Sequence, residues 1–188
     1  PLIGYTLFSW LATLAKTIHN FLSPLFSVAL LVVIAMYVAD NIPRASDAKW
    51  LAKFGGMLDR SGNTHPPSGK FNAGEKALFW LLVCFLGVLL VLSGYVLLFP
   101  NFDQTRSTMQ IANIVHIGAA LLAIAMACFH IYLGTVGMRG AFDAMRYGYV
   151  DEAWAKEHHE YWYNDVVAGK LPRGTEPAAT LPRRRLAV

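Results

Sequence analysis

The stretch NIVHIGAALLAIAMACFHIY, residues 113–132, sets two histidines, His116 and His130, into an apolar run with no charged side chain between them. An imidazole in hydrocarbon is unfavourable unless something satisfies it, so each histidine requires a partner. In a helix, the fourteen-residue step from one to the other, at about 100° per residue, returns the chain to nearly the same face, and at about 1.5 Å per residue it separates the rings by about 21 Å. Both histidines then point into one helical bundle, one near each surface of a membrane.

The rest of the chain supports a membrane reading. Its 188 residues are 55% hydrophobic and 15% charged, with a mean hydropathy of +0.41, which is not a soluble profile. A helical crossing takes roughly 20 residues, and three segments qualify: 21–38, 77–99 and 111–136. Pro24 falls in the first turn of the first segment, where a missing N–H costs little. The preceding PLIGYTLFSWLATLAKTIHN, residues 1–20, is already apolar and lacks the basic start of a signal peptide. It reads as the tail of an earlier span, so a further helix is expected ahead of this sequence. The expected fold is an all-α integral membrane bundle with three spans here and a fourth, N-terminal span missing. Residues 1–140 form its membrane domain, and residues 141–188 a C-terminal segment with an amphipathic helix and a loose tail.

Charge sets the orientation. Arg44, Lys49, Lys53, Arg60, Lys70 and Lys76 lie between the first two spans, and Arg139, Arg146, Lys156, Lys170, Arg173 and Arg183 to Arg185 follow the third. The connector from Pro100 to Gln110 has only Arg106, and the N-terminal segment only Lys16. By the positive-inside rule the long loop and the tail are cytoplasmic, and the chain reads as a multi-pass membrane protein with its C-terminus in the cytoplasm. The net charge of +4 is thus an orientation signal and implies no nucleic-acid partner; the basic tail suits anionic lipid. Cys84 and Cys128 sit in different spans without CxxC spacing and read as small buried hydrophobes.

Between the spans, SDAKWLAKFGGML (46–58) predicts a short interfacial helix capped by Ser46, and RSGNTHPPSGK (60–70) a turn-rich linker with a solvated His65. After the third span, two amphipathic stretches are parted by Gly148, with Asp151 placed to cap the second. Trp154, Tyr161, Trp162 and Tyr163 there suit either lipid headgroups or a partner subunit. Trp80, Tyr95, Phe99 and Phe102 fit an interfacial belt. His158 and His159 lie on a polar stretch beyond the membrane, a weak setting for ligands.

His19 opens the first span at its outer end, the depth that the topology gives His116. Two neutral imidazoles facing each other from neighbouring helices are what bis-histidine ligation of a b-type haem needs. His130 lies near the cytoplasmic side, where Met36 or a histidine on the preceding helix are the candidate partners. No hydrolytic nucleophile and base, phosphate-binding glycine loop or pair of broken helices is visible. An electron carrier, whose protein part positions and tunes a cofactor, fits this pattern.

Three motifs, GKFNAGEKALFW (69–80), HIGAALLAIAMACFHIYLGTVGMRG (116–140) and WAKEHHEYWY (154–163), resemble the gamma subunit of membrane-bound respiratory formate dehydrogenase, a dihaem cytochrome b. The resemblance runs from about His19 to Tyr163, and the spaced histidines alone also suit the related cytochromes of nickel-iron hydrogenases. It implies that His19 and His116 ligate the iron of an outer haem b, and that His130 is one ligand of an inner haem b. The family's remaining ligand lies on its first helix, which this sequence lacks. The resemblance also implies a quinone site at Asn72 and Gly74, where an amide can bond a quinone carbonyl and glycine lets a ring approach the backbone. An ordinary helix cap is the other reading of Asn72. Glu75 beside it is a candidate proton relay. The implied partners are an iron–sulfur beta subunit, a molybdenum or tungsten alpha subunit that oxidises formate, quinone and the lipid bilayer. The alternatives are the cytochrome b subunit of a nickel-iron hydrogenase or another molybdoenzyme and, from another class, a non-redox anchor for a peripheral complex.

Overall fold

The computed structural model describes residues 4–56, 65–171 and 185–187. Among them are seven helices, three of which are long and apolar: α1 (Tyr5–Tyr37), α3 (Ala73–Leu98) and α4 (Arg106–Gly137). The others are α2 (Ala45–Ala52), α5 (Ala141–Tyr147), α6 (Glu152–His158) and α7 (Glu160–Val167). Contacts divide the chain into two compact units, Pro1–Val38 with Leu81–Ile124, and Ala39–Trp80 with Ala125–Val188.

In the first unit, α1 is one unbroken helix of 33 residues, about 50 Å long against a hydrocarbon core of about 30 Å. It therefore starts well before the span expected at 21–38, and Pro24 is interior to it, not in its first turn. The reason is the absence of any breaker between Tyr5 and Asn20, so the apolar lead-in continues straight into the span. Around the proline, serine hydroxyls supply extra donors: Ser23 Oγ donates to His19 O at 2.7 Å and Ser27 Oγ to Ser23 O at 2.9 Å. No residue of α1 is buried. A surface so apolar needs lipid or further helices to cover it. Gly87 of α3 lets α1 approach, since a Cβ there would stand 2.8 Å from Leu30 Cδ1.

Two stretches widen from α to π geometry: Phe79–Leu86 within α3, and Leu133–Gly137 at the end of α4. Such widening is frequent at functional sites, yet the uniformly apolar Phe79–Leu86 carries no periodic signal for it. Of the cysteines read as buried, Cys84 is half-buried and Cys128 is exposed; neither is in a disulfide.

In the second unit, the cap of α2 is not Ser46 but the Asp47 carboxylate, which accepts from Arg44 N at 2.7 Å. The helix starts one residue before Ser46, which leaves its hydroxyl inside the first turn. The C-terminal stretches are built as their breakers predict: α5 stops at Gly148, φ 72°, and Asp151 Oδ1 accepts from Ala153 N at 2.9 Å. The second stretch breaks again at His159 into α6 and α7. Val150, Ala155, Trp162 and Val166 form a small core, with Trp154 and Tyr163 packed against it. Three of the four aromatics assigned to lipid or a partner therefore fold the segment itself, and only Tyr161 stays exposed. Within the tail expected to be loose, Arg185–Ala187 forms a strand, β2, antiparallel to β1 (Tyr149–Asp151), pairing Val150 with Leu186.

Candidate functional site

In the first unit α1 carries His19 and α4 carries His116, and the two rings face each other with centroids 6.0 Å apart and planes at 85°. They line a cavity of about 550 Å³ whose walls also include Lys16, Ser23, Gly94 and Tyr95. A ring nitrogen sits about 2 Å from a metal it ligates, so two imidazoles on opposite sides of one iron place their centroids about 6 Å apart.

Ser93 of α3 fixes which nitrogen of His116 is available. Its Oγ is within hydrogen-bond distance of Leu89 O and 3.0 Å from His116 Nδ1. A hydroxyl has a single proton; spent on the carbonyl, it leaves Oγ to accept from Nδ1–H, and the lone pair of His116 is then on Nε2. A bond of this kind is one that can orient a histidine for ligation. Next along the helix, Gly94 keeps the cavity open: a Cβ would come within 3.2 Å of His116 Cε1. Two imidazoles, apolar walls, a glycine and the Lys16 side chain on the lining suit a haem with its two propionates.

The second unit holds the other expected residues. Asn72 is the N-cap of α3, its Oδ1 accepting from Glu75 N at 3.0 Å, while Glu75 Oε2 accepts from Asn72 N at 2.7 Å. This reciprocal capping box uses the amide oxygen of Asn72 and leaves Nδ2–H as its donor side. Gly74 does admit a ring to the backbone, and here the ring is protein: a Cβ on Gly74 would stand 2.9 Å from Trp50 Cη2, and one on Gly55 2.5 Å from Trp50 Cζ2. The indole of Trp50 is thus received by two glycines. Beneath the cap, Lys76 Nζ donates to Asp47 Oδ2 at 2.8 Å, with side chains only 6% and 13% exposed. Trp80 Nε1 donates to Asn41 O at 2.9 Å. His130 lies on an exposed face of α4, within electrostatic reach of Glu75, as is His159.

The structure also assembles residues that sequence reasoning set apart. The loop before Asn72 is fastened to the start of α7, with His159 Nδ1 2.8 Å from Gly69 O. That brings His65 against Glu157 and His158. Burial, then the facing His65, holds His158 down at about 4, so its imidazole is neutral at physiological pH. No local motif announces this meeting, because the partners are some ninety residues apart.

Residues 2–148 match the family model described as prokaryotic cytochrome b561. The cytochrome b556 subunit of Haemophilus influenzae formate dehydrogenase is 32% identical over 175 residues, covering 87% of this chain and 71% of the relative. A formate dehydrogenase cytochrome b556 subunit of Escherichia coli is 30% identical over 169 residues, covering 85% and 77%. The corresponding subunit of the nitrate-inducible enzyme of that organism is 29% identical over 167 residues, covering 87% and 75%. With three membrane-length helices and a facing histidine pair, the chain belongs to the prokaryotic cytochrome b561 family of membrane haem proteins and is a homologue of formate dehydrogenase cytochrome b556 subunits.

Proposed function

We propose that this protein carries electrons from an iron–sulfur subunit of formate dehydrogenase to quinone, within a complex whose molybdenum or tungsten subunit oxidises formate. The observation that carries this reading is the His19–His116 pair, 6.0 Å between centroids across an apolar cavity. When bound, haem b supplies one-electron carriage at that pair. The chain's own residues do the rest. His19 and His116 would hold the haem iron, Ser93 would keep His116 in the tautomer whose Nε2 lone pair is free, and Lys16 would pair with a propionate. His130 would help to hold a second, inner haem. Residues 1–140 are then the haem-binding membrane domain and residues 141–188 its cytoplasmic extension.

At the quinone end, Asn72 donates through Nδ2 to a quinone carbonyl beside Gly74, where the quinone ring displaces the Trp50 indole that lies against that glycine. Glu75, held on the Asn72 amide, passes protons to the bound quinone from the cytoplasmic side. Mutating Glu75 to Gln then slows quinone reduction, and an unchanged turnover dismisses that role. The basic loop and tail support an inner-membrane orientation with the C-terminus in the cytoplasm. Protons taken up inside while formate is oxidised outside build a proton-motive force.

The test is a reduced-minus-oxidised spectrum of the purified complex under anaerobic conditions, with formate or with hydrogen as reductant. Haem reduced by formate and reoxidised by added quinone is the expected result. Reduction by hydrogen alone assigns the chain to a hydrogenase, and the absence of any Soret band reduces it to an anchor.

A further inference from the structure

The second unit carries a set of donors that neither the haem reading nor the quinone reading uses. His65 Nε2 lies 3.3 Å from Glu157 Oε1. The rings of His65 and His158 are 4.5 Å apart between centroids, and one ligand atom from each of the three residues falls within 4.8 Å of the others. Ligand atoms about 2.0–2.1 Å from a tetrahedral zinc are about 3.3 Å from one another. The His65 to Glu157 spacing is already that of two donors sharing one cation. Closing the third ligand to the same spacing takes side-chain rotation, which the exposed side chains of His65 and Glu157, 36% and 57% accessible, are free to make.

The backbone is arranged to bring these donors together. Ser68 Oγ donates to His158 O at 2.6 Å, Tyr161 N donates to Ser68 O at 3.0 Å, and His159 Nδ1 is 2.8 Å from Gly69 O. Three bonds thus pin the loop just beyond His65 to the junction of α6 and α7. Behind His158 stands Trp154, 4.8 Å away between ring centroids, which limits the directions its imidazole can take. A surface ion pair needs only His65 and Glu157. The second imidazole, with a ligand atom within 4.8 Å of the other two, is the donor that an ion pair leaves unused.

We infer that His65, Glu157 and His158 bind a divalent transition cation of the zinc class, with water as the fourth ligand, stapling the loop that enters α3 to the end of α6. Two nitrogens and one carboxylate suit such an ion, whereas magnesium and calcium take oxygen donors. Access from solution supplies the entry path that a metal site needs.

The experiment uses the whole membrane complex, purified without a histidine tag, freed of loosely bound metal with a chelator and titrated with Zn²⁺ by calorimetry. Haem is quantified in the same samples. The expected result is one saturable zinc per chain, lost in both His65→Ala and His158→Ala while haem content is unchanged, and weakened in Glu157→Gln. Zinc should also slow backbone hydrogen exchange in residues 65–72. Because His65 is exposed, its variant reports on binding even if His158→Ala folds poorly. Absence of saturable zinc in the parent complex, or equal zinc in the parent and His65→Ala, would overturn the inference.

Discussion

The surroundings of His116 and of Asn72 are built on opposite principles. Around His116 the protein makes a space: glycine, short side chains and apolar helix faces stand back, and a serine proton sets one nitrogen free. Around Asn72 it fills the space: a capping box, a buried ion pair and an indole seated against Gly74 leave little that is not already engaged. A tightly held cofactor needs the first arrangement, because the cavity must exist before the ligand arrives. A substrate that comes and goes can be met by the second, with side chains that give way.

The contrast can be broken at either end. The largest effect is expected from Gly94→Val, which puts a branched carbon where even a Cβ comes within 3.2 Å of His116. Haem at the His19 and His116 pair should be lost, as read by pyridine haemochrome content, with no change in zinc binding at His65. Next is Asp47→Ala, which strands the Lys76 ammonium in a nearly buried position. Removing one partner of a buried ion pair costs about 3–5 kcal/mol, and thermal unfolding followed by circular dichroism should show that loss in the second unit. Gly74→Ala forces Trp50 to move while Gly55 holds its other side. Overpacking of this kind costs about 1–3 kcal/mol; Trp50→Phe, a smaller ring, should relieve it, and failure of that rescue would mean that Gly74 serves the quinone alone.

Smaller effects sharpen the comparison. Ser93→Ala removes the acceptor of His116 Nδ1–H without touching the cavity, and loss of such an outer-shell partner costs about 10–100-fold in metal affinity. A shifted haem potential with retained haem is the expected signature. Asn72→Ala should cost about 1 kcal/mol as a lost cap. A far larger fall in quinone turnover than in stability would separate the quinone role from the capping role.

Much of this was legible in the sequence, for a physical reason. Membrane helices follow from hydropathy, and a histidine in hydrocarbon stands out against its neighbours, so His19 and His116 could be paired by depth alone. Helix ends at Gly148 and Asp151 were equally readable, since a positive φ and a side-chain cap are local requirements. What escaped is non-local or invisible to composition. The start of α1 at Tyr5 was missed because an apolar lead-in looks the same whether it belongs to one helix or two. The π stretch Phe79–Leu86 leaves no trace in a run where every residue is apolar. Trp154 and Trp162 read as interfacial because an amphipathic ring suits a headgroup as well as a small core. The convergence of His65 with His158, and of Gly74 with Trp50, depends on how distant segments fold back, which no spacing along the chain records.

The most direct measurement is the electron paramagnetic resonance spectrum of the oxidised complex, taken on the parent protein and on His19→Ala and His116→Ala. Loss of one of the parent's low-spin haem signals in both variants, with the signal of the inner haem at His130 retained, is the expected result. Spectra in which every low-spin signal of the parent survives in both variants would contradict the assignment of this pair as haem ligands and return the two histidines to helix packing.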